Sequence, residues 1–192
     1  VHGADLHTDL KRIQHFFALV EDGAGKLMSA RHREALVVTK AHPLLIVGGA
    51  DVVGGIPYND APAEKHIDIV FEIAKKYNKP LDFHQDFKDD ADGISIEYLC
   101  KKTIQEGFEG RVSVGHLTSL GALPKDRLNP IIELMAKAGI SVMTLPATDL
   151  HLGGRKDEFN VRRALTPVRA LRDGGVNVCI ATNNIRNAFT PY

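Results

Sequence analysis

From residue 50 onward, short apolar runs alternate with stretches in which apolar residues recur every three or four positions. The first pattern predicts strands and the second predicts helices. Asp51-Val52-Val53-Gly54-Gly55-Ile56-Pro57 reads as a buried strand. Ile67, Val70, Phe71 and Ala74 share one face of a helix near Glu64 to Tyr77. Leu81 to His84 is the next strand, followed by a helix near Ile94 to Glu106 that Gly107 stops. Arg111 to His116 is a further strand. Asn129 then offers an N-cap, Pro130 suits the first helical position and Gly139 suits the C-cap. Ile140 to Leu145 is a fourth strand. Thr166-Pro167 opens a short helix ending at Gly174-Gly175, and Val176 to Ala181 is a fifth strand.

Strands that start near 51, 81, 111, 140 and 176 are spaced by about thirty residues, the length of one βα unit. Read as continuous apolar runs, they predict a parallel sheet covered on both faces. Right-handed βα units of this period build either a closed (β/α)8 barrel or an open doubly wound sheet. No GxGxxG follows the first strand, which weighs against a dinucleotide site.

Residues 1–49 are less regular. Asp9 caps a possible helix carrying Leu10, Ile13, Phe16, Phe17 and Val20, and Glu21 to Lys26 reads as a polar loop. Leu36-Val37-Val38 and Leu44 to Val47 are short apolar pieces, with room for one or two more βα units. A complete eight-fold barrel usually needs more than about 200 residues. The 192 residues therefore read as one domain holding a partial barrel whose early strands are missing. The chain begins with Val1 and not Met, so its start reads as processed or incompletely covered.

Composition narrows the partners. Lys plus Arg equals Asp plus Glu at 24 each, so no strong field recruits nucleic acid or an anionic membrane. Arg31-His32-Arg33 and Arg162-Arg163 are short, lack interleaved aromatics and read as solvated faces. Cys100 and Cys179 form no disulfide framework and no zinc ribbon, which points to a reducing, cytoplasmic setting. No apolar run reaches the roughly 18 residues of a membrane span.

The candidate chemistry sits at strand ends. In a barrel of parallel strands the carboxyl ends build the reaction site. His84 and His116 each close a short strand, so neighbouring strands deliver two imidazoles to one mouth. A neutral imidazole is a common zinc or iron ligand, and it can also polarise a bound water. Asp86, Asp89 and Asp90 follow His84, where an acidic helix N-terminus explains them better than catalysis does. Asp149, His151, Gly153, Gly154 and Arg155 lie after the fourth strand and read as a loop. There Arg155 suits an anionic or carbonyl group and His151 suits a substrate contact. Asn183-Asn184 ends the fifth strand with amides that bind polar substrate groups. The pairs Gly48-Gly49 and Gly54-Gly55 read as tight strand packing in preference to a phosphate cradle.

Four segments together resemble bacterial cytosine deaminase and its relatives in the amidohydrolase superfamily. They are Gly49 to Pro57, the His84 segment, Gly115-His116-Leu117-Thr118, and the run from His151 through Cys179. The last carries His151-Leu152, Gly154-Arg155, Asp157, Arg162-Arg163, Thr166, Val168 and Asn177-Val178-Cys179, and His7-Thr8-Asp9 adds a fainter match. The resemblance implies a distorted (β/α)8 barrel of the metal-dependent hydrolase type that cleaves non-peptide C–N bonds in cyclic amidines or amides. It implies His84 as ligand to a divalent metal, zinc or iron. It implies His116 as the catalytic group that orients water or substrate, with Asn183 and His151 binding a small nitrogenous substrate. A homo-oligomer is compatible with it.

Three departures accompany the resemblance. The family's His-x-His metal pair is nowhere in the chain, Phe87 replaces the deaminases' glutamate proton shuttle, and Asn183 replaces the metal-binding aspartate. A phenyl ring moves no proton, and an amide is no general base. The alternative is a catalytically impaired relative that binds a small ligand. A third option, a phosphate-binding synthase barrel, requires a glycine-lined anion site after the last strands.

Overall fold

The computed structural model describes residues 35–38, 51–60 and 62–183. Their strands are β1 (Ala35–Val38), β2 (Val52–Gly55), β3 (Leu81–Gln85), β4 (Val112–His116), β5 (Ser141–Thr144) and β6 (Asn177–Ile180). They form one sheet in chain order, every neighbour pair parallel. Helices fill the crossovers that follow β2: α1 (Ala63–Tyr77), α2 (Ile96–Gln105) and α3 (Lys125–Lys137), then α4 (Pro146–Leu152) and α5 (Val168–Asp173) before β6. A doubly wound sheet reverses its strand order at a switch point. The described strands do not, so they wind as a (β/α)8-type barrel does. The apolar piece Leu44 to Val47 and the match at His7-Thr8-Asp9 lie outside the described residues.

The expected continuous apolar strands are corrected. Side chains two apart on a strand share a face. Leu81, Phe83, Val112, Val114 and Val142 point one way and pack with Ile67, Val70, Phe71, Leu99, Ile131 and Met135 of α1, α2 and α3. Burying each such side chain contributes about 1.5–3 kcal/mol. The intervening positions Asp82, His84, Ser113 and Ser141 take the opposite, inner face. Ser113 Oγ donates to Asp82 Oδ1 at 2.6 Å, and Asn177 Nδ2 donates to Ser141 Oγ at 3.2 Å. Apolar burial is therefore concentrated between sheet and helices, and the inner face mixes these polar side chains with Val52 and Met143.

Several boundaries also differ from expectation: Pro57 opens a 3-10 turn after β2, and β3 runs one residue past His84 to Gln85. Helix α3 starts at Lys125 behind Pro124, so Pro130 lies inside it and Asn129 is no cap. Leu128 is buried on the same side as Ile131, Ile132 and Met135 and draws the extra turn onto the core. The missing N–H of Pro130 deprives only the carbonyl of Asp126, which water can satisfy because Asp126 is exposed. Asp149 and His151 belong to α4 and not to a loop, since Pro146 supplies the first helical turn after β5.

The packing reading of Gly54-Gly55 holds. A Cβ on Gly54 would meet the Asp82 carbonyl at 1.9 Å, and one on Gly55 would lie 2.0 Å from His66 Nε2. His66 in turn pairs through Nδ1 with Asp60 Oδ2 at 2.5 Å. Among the described residues, no helix is long and apolar enough to cross a membrane.

Candidate active site

The β3–β4 register sets His84 beside Gly115 and Gln85 beside His116. Gly115 has no side chain, so the two imidazoles meet: His84 Nδ1 lies 3.0 Å from His116 Nε2, with ring centroids 5.0 Å apart. His116 Nδ1 lies 2.7 Å from Asp149 Oδ1, and the Asp149 side chain is fully buried on α4. Phe87 covers His116 with ring centroids 4.8 Å apart. Tyr58, in the 3-10 turn Pro57–Asn59 after β2, stands 6.2 Å from Phe87. The mouth thus carries a polar chain, His84–His116–Asp149, against an aromatic wall.

Backbone strain holds His116 in place. His116 and Leu117 both adopt left-handed angles, φ 75° and 58°. Each costs about 1–2 kcal/mol in a residue with a Cβ. The surrounding bonds offset that cost: Leu117 N donates to Gln85 O at 3.0 Å and Ser119 N to Asp86 O at 3.1 Å. The Thr166 hydroxyl also donates to the His116 carbonyl.

Burial, then the neighbouring His116, holds the His84 imidazole down to about 3. The ring is therefore neutral near pH 7, the form that can ligate a metal. Beneath it, burial pushes the Asp82 carboxyl up to about 6, with Ser113 and His116 pulling the other way. Burial pushes the Tyr58 phenol up to about 12, aided by the charge of Asp149.

The aspartates after His84 serve structure. Asp86 is buried and accepts from Ser95 N at 3.0 Å and Ile96 N at 2.9 Å, which caps α2 from ten residues upstream. Burial raises its carboxyl, and the bonds from Ser95, Gln85 and Ile96 lower it. Asp89 receives the Gly154 N–H on both oxygens at 2.9 Å and so ties the loop after β3 to the segment after α4.

His84 and His116 are thus brought together as the sequence suggests. Asn183 follows β6 at the same end of the sheet, half-buried with φ 65°, a conformation its side chain tolerates. His151 is exposed and bonds Arg155, whose Nη2 lies 2.8 Å from His151 Nε2. The residue of α4 that reaches His116 is Asp149, two positions earlier, which the sequence reading placed in the same loop without a role. Pro146 was the signal available for it, because a helix begun there places Asp149 in its first turn.

Among the described residues, no three His, Cys, Asp or Glu side chains gather to hold a metal ion. His84 offers one imidazole donor, and an amide stands at Asn183. These residues alone do not complete a metal site.

The amidohydrolase family model matches residues 1–192. The chain belongs to the amidohydrolase family. Among curated amidohydrolase relatives, pterin deaminase of Rhizobium rhizogenes is 28% identical over 142 residues, 73% of this chain and 32% of that protein. N-isopropylammelide isopropyl amidohydrolase of Pseudomonas sp. is 28% identical over 146 residues, 75% of this chain and 33% of that protein. The chain spans about a third of the length of these curated relatives. A 5-methylcytosine deaminase from Klebsiella pneumoniae, solved with 5-fluorocytosine, superposes with a TM-score of 0.72 at 30% identity. That match covers 76% of this chain and 36% of the other. The same enzyme with phosphonocytosine gives 0.79 at 25% identity over 95% of this chain and 47% of the other. The cytosine-deaminase-like branch and the barrel fold that the motifs imply are borne out.

Proposed function

We propose that the protein hydrolyses a C–N bond in a small, flat, nitrogen-containing ring, with help from a divalent metal, zinc or iron. The observation that carries this reading is the His84–His116–Asp149 chain at the carboxyl mouth of a deaminase-type barrel. His84 would give one imidazole to such a metal, whose coordination the described residues alone do not complete. When bound, such a metal supplies Lewis-acid activation of water. His116 orients and polarises the attacking water or the substrate. The amide of Asn183 and the imidazole of His151 contribute polar substrate contacts, while Phe87 and Tyr58 offer an apolar face to a planar ring. The named activities of the relatives, on pterin, on N-isopropylammelide and on 5-methylcytosine, support a substrate of this shape. Two free cysteines, Cys100 and Cys179, agree with a cytoplasmic setting.

A second reading, a catalytically impaired relative that binds such a ring, draws on Phe87. Its phenyl ring lies against His116 where deaminases place a proton shuttle. Metal content and ammonia release separate the two. Protein purified without chelators is expected to hold stoichiometric metal that His84→Ala loses. It is also expected to release ammonia from at least one of cytosine, pterin and an alkylamino-triazine. Metal-free protein inert toward all three would leave only the binding reading.

A further inference from the structure

The peptide that joins His116 to Leu117 is gripped from both sides. Its N–H donates to Gln85 O at 3.0 Å, and its carbonyl accepts from the Thr166 hydroxyl, 50 residues away in sequence. A peptide unit is planar, so holding both groups fixes the orientation of the whole plane. The two residues it joins, His116 and Leu117, have φ of 75° and 58°. Neither is glycine, so their surroundings must impose those left-handed angles. Leu117 is anchored by its own fully buried side chain. His116 lies past the last pair of β4 with β5, Gly115 with Met143, so the ladder register does not extend to it.

Thr166 is itself aimed. Pro167 follows it and disfavours helical backbone angles at Thr166, while the branched Cβ leaves few rotamers. Pro167 has φ −76° and ψ 63°, an inverse γ-turn closed by Val168 N donating to Thr166 O at 2.8 Å. On the other side Leu165 lies so close to the turn after β4 that a Cβ on Gly121 would meet Leu165 O at 2.4 Å. Thr166 is only 6% exposed, which leaves water little access to the hydroxyl.

We propose that Thr166 is a positioning residue: by holding the His116 carbonyl, its hydroxyl keeps the His116 imidazole between His84 and Asp149. The inference rests on the hydrolase reading for its purpose, though not for its geometry. The His116 ring meets His84 Nδ1 at 3.0 Å and Asp149 Oδ1 at 2.7 Å, and a displacement of about 1 Å breaks both contacts. Releasing the carbonyl lets the peptide plane turn and the two residues return toward negative φ, which carries the ring away. Packing alone would be served equally well by valine. Thr166 thus acts on the mouth through the backbone of His116.

NMR of the labelled protein tests this. The amide–Hα couplings and Cα shifts read the backbone at His116 and Leu117, and an NOE between the imidazole carbon-bound protons of His84 and His116 reads the ring contact. Thr166→Val keeps the shape without the hydroxyl and should lose the left-handed signature and weaken the NOE. Thr166→Ser keeps the hydroxyl and should retain both. On the hydrolase reading, Thr166→Val should also lower kcat for ammonia release by about 10- to 100-fold with a smaller change in KM. A folded Thr166→Val with wild-type signature and NOE would overturn the proposal, as would equal losses in the valine and serine variants. A threonine that merely stabilised the fold would move the melting temperature and leave both signals alone. If the valine variant does not fold, the wild type decides, for a Thr166 hydroxyl proton that exchanges as fast as those of exposed threonines would overturn the proposal. Absence of ammonia release from the wild type would sink the hydrolase reading and leave the NMR result standing.

Discussion

His116 gathers contacts from four directions: His84 and Asp149 at its two nitrogens, Phe87 over its ring, and Thr166 at its carbonyl. At this scale the telling residue is Phe87, at the position where the resemblance to cytosine deaminases implies a carboxylate proton shuttle. General acid–base catalysis by one positioned group is worth about 100-fold or more. On the proposed hydrolase reading, Phe87→Glu should therefore raise ammonia release from the substrate that the wild type turns over by at least about tenfold, measured by a coupled ammonia assay. Tyr58 yields a second test. Its phenol ionises at about 12 in the folded protein against an ordinary 10.0, so the fold favours the protonated form. The stability this contributes is present below pH 10 and is lost as the pH rises through about 12. Urea midpoints should fall across that window in the wild type and fall less in Tyr58→Phe.

At the scale of the elements, two loops and a helix end are held by side chains far from them in sequence. Asp86 caps α2 through Ser95 and Ile96. Asp86→Ala strands those buried donors and should cost about 1–3 kcal/mol in urea unfolding. Strand β2 and helix α1 depend on Gly55. A methyl group there would collide with His66, so Gly55→Ala should destabilise by about 1–3 kcal/mol. In a His66→Ala background the same change should cost much less, because the colliding ring is gone. A double-mutant cycle reads that coupling directly.

Across the whole molecule, the apolar layer between sheet and helices has a chemical reporter. Cys100 is buried in α2, where burial pushes its thiol up to about 12, whereas Cys179 on β6 is exposed. Alkylation should mark Cys179 before Cys100, though more slowly than a free thiol, because partial burial and then the charge of Asp82 push the Cys179 thiol up. Cys100 should react only as the core opens, at a rate that climbs with urea and is read by mass spectrometry.

The sequence by itself determined the βα rhythm, the parallel sheet and the pair His84 and His116 at neighbouring strand ends. These follow from covalent spacing: apolar residues must recur with the period of the element they build, which places a strand's end to within a residue or two. Only the tertiary structure decided where Pro130 and α4 fall, that the fully buried apolar side chains of the strands crowd one face, and that Asp149 meets His116. Pro130 shows why. Its local signature marks a helix start, yet burial of Leu128 extends α3 by a turn before it. Asp149 shows the same limit from the side of function, for its partner lies 33 residues away. No periodicity records that contact, because it depends on the angle at which a seven-residue helix leaves β5 and settles beneath the mouth.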